Sequence, residues 1–527
     1  MISKTDYLLY RECKKNAWLK IHKPDIYYAG ELSDFEKSII ETGNEVESIA
    51  RQLFPTGILI EGRDIVAQER TAKLVKDTNQ TLFQPVFVRD GFMAAIDVLQ
   101  YDPESKPGAP SYSVYEIKAS NQVKEDLHLY DLAFQVNLLR KCGLKIGKIG
   151  VIHLNSKYVR EGELDIIKLF VIDDVSEKVN GLLEKVDMEM QDALKYLLTE
   201  KEPSGHCSCV YKGRSSHCTT FTYSNPEVPK YGVHDIARIG LSKAKLIELI
   251  DGNIFDLNDV PEEIELSEIQ KNQIAAHITG RTKIEKDKIM NELSSLQFPL
   301  YFIDYETFPA AIPRFDGFSP YQQIPFQYSL HIVESTSDLT DLAHAADAND
   351  TNGRPYDPIH REFLYTGSDD PSKSFAESMV KDIGKIGSII VWNKSFECNR
   401  NIELAKRSSD PKFKSFITSF NERVYDLEDI FKKQYLVHRD FKGKTSIKNI
   451  LPVVAPELTY KNLDIRNGGS ASDTWNRLVT GQIVGAEKEK SVKDLLKYCE
   501  RDSYAMYAIW KHLQGLLKNP PLGGIFF

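Results

Sequence analysis

The sequence predicts a mixed α/β protein of more than one domain. Its 527 residues exceed what one hydrophobic core usually organises. In two stretches, short runs rich in β-branched and aromatic residues alternate with helical patterns, and a stretch with helical patterns alone separates them. We therefore expect an α/β domain at 1–220, a helical connector at 221–296 and a second α/β domain at 297–527.

The composition is that of an ordinary globular protein, with 42% hydrophobic and 27% charged residues. No apolar run approaches the roughly 18 residues that a membrane-spanning helix needs, and the first residues lack the apolar core of a signal peptide. We therefore expect a cytoplasmic protein without a membrane partner. The net charge of -9 neither predicts nor excludes nucleic-acid binding, because acidic proteins can bind nucleic acid through local basic patches.

Two strand-like stretches of the first domain, AAIDVLQY and SYSVYEIKAS, carry charged residues within apolar sequence. Asp97 lies in the first stretch. Glu116 and Lys118 lie two apart in the second, so they share one face of a strand. An Asp followed by Glu-x-Lys resembles the signature of the PD-(D/E)XK nucleases, although Glu-x-Lys alone is common on exposed strands. The resemblance implies a restriction-endonuclease-like fold, in which the acids hold Mg²⁺ or Mn²⁺ and the lysine positions or activates water.

Two flanking helices extend this resemblance to the RecB-like and lambda-type exonuclease branch. Upstream, TGNEVESIAR places Glu47 where the branch carries a metal ligand on a helix, with Glu45 as a rival. Downstream, HLYDLAFQVNLLRKCG resembles the helix that carries a glutamine in this branch, here Gln135. The implied site consists of five residues: Glu47, Asp97, Glu116, Lys118 and Gln135.

Four of the seven cysteines lie near the two ends of the first domain: Cys13, Cys207, Cys209 and Cys218. In a reducing cytoplasm, clustered cysteines favour a metal site over disulfides. One branch of these nucleases, which includes CRISPR-associated adaptation nucleases, joins its chain ends through a [4Fe–4S] cluster held by one cysteine upstream and three downstream. The resemblance implies such a cluster here. The tight Cys207-x-Cys209 spacing departs from that pattern, and Zn²⁺ is the alternative, with His206 and His217 as spare ligands.

The connector opens with a proline-containing loop, TYSNPEVPKYGVHD. It continues as charged amphipathic sequence such as EIQKNQIAAHITGRTKIEKDKIMNEL, whose periodicity predicts helices. We assign no functional residue to this stretch.

The second α/β domain begins with the apolar run LYFIDYET, which predicts a buried strand carrying Asp304 and Glu306 on one face. Two carboxylates at such a short distance repel each other, and this repulsion is costly unless a cation lies between them. GSIIVWNKSFECNR predicts a strand followed by a helix, with Glu397 in the first helical turn. LLKYCERDSYAMY predicts a helix on which Tyr498 and Asp502, four residues apart, share a face. We therefore expect a divalent metal site.

This order of residues resembles the DnaQ-like 3′–5′ exonucleases, which carry four acidic ligands and a tyrosine on a ribonuclease H-like core. The resemblance implies that Asp304, Glu306, Glu397 and Asp502 hold two ions of Mg²⁺ or Mn²⁺. It also implies that Tyr498 orients or deprotonates the attacking water. Glu397 departs from the family, which usually has Asp there.

Two further groups of residues in this domain have alternative interpretations. We interpret Asp426 and Asp429 of VYDLEDIF as structural or supporting residues rather than metal ligands. A glycine-containing segment holds four cations: Arg439, Lys442, Lys444 and Lys448. They could bind phosphates, or the segment could be a solvated loop before a helix capped by Thr445 or Ser446.

As a whole, the chain resembles a bacterial family that fuses an iron–sulfur PD-(D/E)XK domain to a ribonuclease H-like exonuclease domain. The resemblance implies a DNA-directed, metal-dependent hydrolase of phosphodiester bonds that acts on single strands or duplex ends, in DNA repair or in defence against foreign DNA. Two alternatives remain open at this point. The protein could bind DNA ends with one or both sites inactive, or it could be an RNA exonuclease.

Overall fold

The structure is a computed structural model that describes residues 1–29, 34–77, 80–105, 110–335 and 358–518. The chain forms two compact units, and each is described by itself. The first comprises Met1–Val228 with Ala310–Gln322, and the second comprises Pro229–Pro309 with Gln323–Phe527. Both units combine helices with sheets, so the prediction of a mixed α/β protein of several domains is confirmed.

Among its described residues, the first unit contains nine strands: β1 (Ile2–Ser3), β2 (Ile58–Leu59), β3 (Leu82–Phe83), β4 (Val86–Arg89), β5 (Phe92–Ala95), β6 (Val98–Tyr101), β7 (Ser111–Lys118), β8 (Lys145–Leu154) and β9 (Phe170–Asp174). Six of them form a mixed sheet in the order β2-β3-β6-β7-β8-β9, and the others form a small sheet in the order β1-β5-β4. β7 pairs antiparallel with β6 and parallel with β8. The strand that carries Glu116 and Lys118 therefore lies inside the sheet.

The α-helices of the first unit are Lys4–Glu12, Lys14–His22, Pro24–Tyr27, Asp34–Ala50, Ile65–Asp77, Tyr130–Lys141, Ile166–Leu169, Ser176–Asn180, Leu183–Leu197 and Phe221–Ser224. Ser3 caps the first helix, where its side chain and that of Asp6 each bind the other's backbone N–H. Helix Leu183–Leu197 buries five residues at helical spacing: Leu183, Val186, Met190, Ala193 and Leu197. This apolar stripe belongs to the same core as helix Tyr130–Lys141.

The described part of the second unit contains seven strands: β10 (Lys283–Ile284), β11 (Leu300–Pro309), β12 (Gln323–Val333), β13 (Ile359–Leu364), β14 (Ser388–Val391), β15 (Val424–Asp426) and β16 (Leu436–Val437). Five form a sheet in the order β13-β12-β11-β14-β15. β11 pairs antiparallel with β12 and parallel with β14, so it lies at the centre of the sheet. The continuous apolar run at the start of β11 follows from burial on both faces.

The α-helices of the second unit are Lys243–Asp251, Glu268–Thr279, Lys286–Ser294, Ser372–Asp382, Lys394–Arg407, Pro411–Glu422, Asp429–Lys432, Ile447–Val454, Gly468–Val479 and Gly485–Lys518. Helices cover both faces of the five-stranded sheet, and two cores result. Phe302 packs with Tyr507 and Trp510 on one face. Ile303, the next residue of β11, packs with Phe375 on the other.

Most of the segment predicted as a helical connector, residues 229–296, belongs to the second unit, whereas residues 221–228 belong to the first. Gln273 accepts a hydrogen bond from the Ala237 backbone at 2.8 Å and donates one to the Asp235 carbonyl at 2.9 Å. Gly443, with φ +68, lies against the same glutamine, where a Cβ atom would overlap its side chain. β10 pairs with β16. Among the described residues, no helix combines the length and the apolar character needed to cross a membrane.

Candidate metal centres

Three carboxylates of the second unit converge beside β11. Asp304 and Glu306 come from β11, and Asp502 comes from the long helix Gly485–Lys518. One oxygen of each lies within 4.8 Å of the others. Glu306 and Asp502 are buried, and Asp304 is half-buried. All three line a cavity of about 390 Å³.

Glu397 lines the same cavity from the first turn of helix Lys394–Arg407. Its side chain is only 3% exposed, and its Oε2 atom has no hydrogen-bond partner in the described part of the chain. A buried carboxylate oxygen without a partner is costly, which makes the site one that a cation would stabilise. Glu397 lies outside the group of three acids whose oxygens come within 4.8 Å. The structure therefore brings the predicted ligands into one cavity, with three close together.

The electrostatics of this cavity favour a bound cation. Burial and the charge of Asp502 raise the pKa of Glu306 to about 8. Burial raises the pKa of Glu397 to about 8 as well, and it raises the pKa values of Asp304 and Asp502. Carboxylate oxygens are the ligands that Mg²⁺ and Mn²⁺ prefer. The donor set therefore fits the implied divalent ions.

Two tyrosines and a lysine surround Asp502. The Tyr460 hydroxyl donates a hydrogen bond to Asp502, and Tyr498 lies one helical turn before Asp502. The Lys448 ammonium lies 3.4 Å from the Tyr498 hydroxyl and 5.4 Å from the centre of the Tyr460 ring. Burial and the charge of Asp502 raise the pKa of Tyr498. A protonated Tyr498 can orient water by donating a hydrogen bond. Its raised pKa suits this orienting role better than the alternative role of a base that deprotonates the water.

The neighbouring acids and cations have other contacts. Asp426 accepts hydrogen bonds from the backbone N–H groups of Lys394 at 3.2 Å and Glu428 at 3.1 Å. Asp429 pairs with Lys433 at 3.4 Å. Neither acid lines the cavity, which agrees with a structural interpretation. Of the four cations predicted in the glycine-containing segment, Lys448 alone is among the cavity-lining residues.

In the first unit, Glu116 lies at the centre of a network of charges. Its Oε1 accepts hydrogen bonds from Lys118 at 2.6 Å and from Lys4 at 2.8 Å, and its Oε2 accepts one from Gln135 at 2.7 Å. Asp131 joins the network through Lys118 at 2.9 Å and Gln135 at 2.8 Å. Burial opposes a charged carboxylate, but Lys118 and Lys4 outweigh it and lower the pKa of Glu116. The structure thus brings the predicted residues Glu116, Lys118 and Gln135 into contact.

Gln84 connects the other two predicted acids of the first unit. Its amide lies 2.6 Å from Glu47 and 3.1 Å from Asp97. The second oxygen of Asp97 accepts a hydrogen bond from the Ile117 backbone at 2.8 Å. Burial and the charge of Glu116 raise the pKa of Asp97 to about 7. Glu45, the rival to Glu47, interacts instead with the charge of Arg314.

The predicted acids Glu47, Asp97 and Glu116 do not approach one another as closely as the three acids of the second unit do. Among the described residues, the sets of three ligand atoms within 4.8 Å of one another do not include Glu47, Asp97 and Glu116. The ammonium groups of Lys4 and Lys118 neutralise Glu116 instead.

The sequence analysis does not predict four of the site residues: Lys4, Gln84, Asp131 and Tyr460. Lys4 lies 112 positions from its partner Glu116, and Tyr460 lies 42 positions from Asp502. No strand or helix period connects residues so far apart. Asp131 alone has a local relation, because it lies four residues before Gln135 on one helix.

The four predicted cysteines converge in the first unit. Their sulfur atoms all lie within 4.8 Å of one another. Cys13 lies between helices Lys4–Glu12 and Lys14–His22, and the Cys207 and Cys218 sulfurs are 3.8 Å apart. The Asn225 amide donates to the Cys207 sulfur at 3.2 Å, as a supporting residue commonly does beside a metal ligand.

This four-thiol group is compatible with an iron–sulfur cluster and with a single metal ion. Four thiolates hold [4Fe–4S] clusters, and four thiolates at about 2.3 Å hold tetrahedral Zn²⁺, which places the sulfurs about 3.8 Å apart. The two spare histidines, which directly precede Cys207 and Cys218, make other contacts. His206 pairs with Glu227 at 2.8 Å, and His217 contacts the Lys212 carbonyl at 3.0 Å.

Comparisons with known proteins cover parts of the chain. Residues 301–446 match a family described as a domain of unknown function (DUF2779). The uncharacterized protein MG366 of Mycoplasma genitalium is 26% identical over 245 residues, which cover 45% of this chain and 35% of that protein. The uncharacterized protein UU173 of Ureaplasma parvum is 26% identical over 288 residues, which cover 50% of this chain and 39% of that protein.

The chain thus spans well under half the length of the curated relatives it matches. The family match begins within β11 and ends just before helix Ile447–Val454. It includes Asp304, Glu306 and Glu397 but stops short of Tyr498 and Asp502.

Proposed function

We propose that the second unit is a metal-dependent 3′–5′ exonuclease with a ribonuclease H-like core. The convergence of Asp304, Glu306 and Asp502 within 4.8 Å, on a central strand and a long helix, carries this proposal. The unpartnered Glu397 oxygen in the same cavity supports it. The substrate we propose is DNA, and the cellular role is repair or defence against foreign DNA in the cytoplasm.

The four acids would hold two ions of Mg²⁺ or Mn²⁺. When bound, such ions stabilise charge on the phosphoryl oxygens and lower the pKa of a water molecule. Burial raises the pKa of Tyr498, which favours a hydroxyl that orients water by donating a hydrogen bond. The Lys448 ammonium, beside Tyr498 in the same cavity, offers a positive charge to a phosphate.

For the first unit we propose a PD-(D/E)XK fold with a second nuclease site. The shared contacts of Lys118 and Gln135 with Glu116 support this proposal. One observation favours a second candidate function, the binding of DNA ends without cleavage. Lys4 binds both oxygens of Glu116, at 2.8 and 3.0 Å, and so occupies the acid that a metal ion would need.

We propose that the four cysteines hold a structural metal centre, which joins Cys13 to the 207–218 segment. The family resemblance favours a [4Fe–4S] cluster, whereas the 3.8 Å separation of the Cys207 and Cys218 sulfurs matches a single Zn²⁺. Iron, sulfide and zinc analysis of anaerobically purified protein decides between them, because only the cluster contains inorganic sulfide.

The experiment that tests the nuclease proposal uses anaerobically purified protein with single-stranded DNA, duplex DNA and RNA, each labelled at the 5′ or 3′ end. We expect Asp304→Asn to abolish stepwise digestion from the 3′ end in Mg²⁺ or Mn²⁺. Asp429→Asn, an acid outside the cavity, is the matched control and should retain activity. Lys118→Ala tests the first unit, where loss of a different set of products would show a second active site.

A wild-type protein that binds these substrates but cleaves none would contradict the exonuclease proposal. That result would favour the end-binding alternative. Cleavage of RNA with DNA left intact would support the proposed metal site but would show that the substrate is RNA rather than DNA.

A further inference from the structure

Another group of metal-ligating side chains lies in the second unit, apart from the four acids. His331 on β12, His360 on β13 and Glu500 on the long helix each place one ligand atom within 4.8 Å of the others. They line a cavity of about 410 Å³ that has no lining residue in common with the cavity of the acids. This group is therefore a separate candidate site.

The sheet register explains why the two histidines meet. His331 and His360 are directly opposed partners on neighbouring antiparallel strands. Their rings stack with centroids 4.6 Å apart and planes inclined by 20°. Glu500 reaches the pair from the helix that packs across β12. Three elements of the fold thus position the three side chains.

A pair of serines fixes the orientation of both rings. The His331 Nδ1 atom lies 2.8 Å from the Ser503 hydroxyl, and the His360 Nε2 atom lies 2.9 Å from the Ser329 hydroxyl. The two hydroxyls are 2.8 Å apart, so they form one continuous chain of hydrogen bonds. Each ring keeps its other nitrogen outside this chain. Histidines that bind metals commonly engage their second nitrogen in this way.

We propose that His331, His360 and Glu500 form a transition-metal site of the zinc type. Two imidazoles and one carboxylate are a common Zn²⁺ donor set, and such a set leaves one coordination position open, here toward the cavity. This proposal does not depend on the nuclease proposal, because it uses none of the four acids.

The charges around this site select the kind of ion. Lys497 and Arg501 also line the cavity, so they offset part of the attraction that Glu500 and Glu362, 4.0 Å from the His360 ring, offer to a cation. Binding has to come from direct coordination by the imidazole nitrogens. Imidazole suits Zn²⁺, Cu²⁺ and Ni²⁺, whereas Mg²⁺ prefers oxygen ligands. We therefore expect Zn²⁺ to bind here and Mg²⁺ to be rejected.

The test is a calorimetric titration of the full chain with Zn²⁺ in excess Mg²⁺, which keeps the four-acid site filled. Glu500→Gln alters an exposed residue and His360→Gln a partly exposed one, so both variants should fold. His438→Gln, a histidine outside this group, is the matched control. We expect the wild type and the control to bind one Zn²⁺ more than either variant, or to bind it at least tenfold more tightly.

A parallel titration with Co²⁺ separates this site from the cysteine centre. Co²⁺ bound to thiolates gives intense charge-transfer absorption, and Co²⁺ bound to nitrogen and oxygen ligands gives only weak visible bands. We expect Glu500→Gln and His360→Gln to lose weak bands and to retain the thiolate absorption. Equal Zn²⁺ stoichiometry and affinity in the wild type and both variants, with unchanged Co²⁺ spectra, would overturn the proposal.

Discussion

At the scale of single residues, the second unit holds more negative charge in one cavity than its own cations balance. Glu306, Glu397, Asp304 and Asp502 all have raised pKa values, with burial as the largest cause. Lys448 is the cation that lowers the pKa of Glu306. The cavity therefore binds protons in the folded state that the unfolded chain would release.

This excess of bound protons predicts how stability depends on pH in the absence of divalent ions. The pKa values of Glu306 and Glu397 rise from 4.5 to about 8 on folding. Between these values the folded state binds more protons, so the free energy of unfolding falls as pH rises toward 8. Melting temperatures in EDTA, measured between about pH 5.5 and 8.5, test this prediction. This range lies above the unfolded-state pKa of both glutamates and extends to their folded-state pKa.

Glu397→Gln removes one of these proton-binding groups, so the melting temperature should depend less steeply on pH. Asp429→Asn should leave that dependence unchanged. Added Mg²⁺ should restore stability at the alkaline end, because the metal takes the place of the protons. Identical slopes in the wild type and Glu397→Gln would contradict the assignment of a raised pKa to Glu397.

Tyr460 supports a prediction about metal activation. Its hydroxyl donates to Asp502 and so restrains that carboxylate. Groups that orient metal ligands typically contribute about 10–100-fold to metal affinity or activity. We expect Tyr460→Phe to raise the Mg²⁺ concentration needed for half-maximal cleavage by about tenfold or more.

Tyr365→Phe is the matched control for this measurement, since Tyr365 donates to the exposed Asp369 and neither residue lines the cavity. A Tyr460→Phe enzyme with the Mg²⁺ dependence of the wild type would show that the hydroxyl does not position Asp502.

Residue spacing made part of the candidate site predictable. Asp304 and Glu306 share a face because a strand repeats every two residues, and Tyr498 and Asp502 share one because a helix repeats every 3.6. Lys4, Gln84 and Tyr460 reach their partners through tertiary packing. The His331–His360 pair depends on the register of β12 and β13, which a single sequence does not reveal.

At the scale of elements, the first two helices are joined through a cysteine. Cys13 has an extended backbone, with φ -157, and it ends one helix and precedes the next. Its sulfur meets those of three cysteines from the 207–218 segment. The helical pattern around Cys13 is predictable from sequence, whereas the meeting of Cys13 with these distant cysteines is a feature of the tertiary fold.

This geometry predicts that the metal centre stabilises the first unit. Cys13→Ser should lose the bound metal and lower the melting temperature of that unit by about ten degrees or more, since structural metal binding contributes directly to folding. Cys142→Ser is the control, because Cys142 lies outside the four-thiol group. Metal analysis and calorimetry test both variants, and a Cys13→Ser protein with full metal content would contradict the proposed ligand set.

At the scale of the whole molecule, the chain leaves the second unit between β11 and β12 and contributes Ala310–Gln322 to the first. Ala311 and Ile312 join a core cluster with Val46 and Ala50. Arg160 donates hydrogen bonds to the carbonyls of Pro313 and Arg314, both at 2.9 Å. Residue spacing does not reveal these contacts, because the partners Val46, Ala50 and Arg160 lie far away in the chain.

The contribution of this segment leads to a prediction in the full chain. Ile312 is 8% exposed within the cluster, so Ile312→Ala should lower the free energy of unfolding of the first unit by about 2 kcal/mol or more. Ile167→Ala removes the same atoms from a side chain that is 81% exposed and serves as the control. Hydrogen exchange locates the effect. We expect faster exchange in helix Asp34–Ala50, which carries Val46 and Ala50, and unchanged exchange in β14 of the second unit. Faster exchange in β14 with protection retained in that helix would show that the segment stabilises the second unit instead.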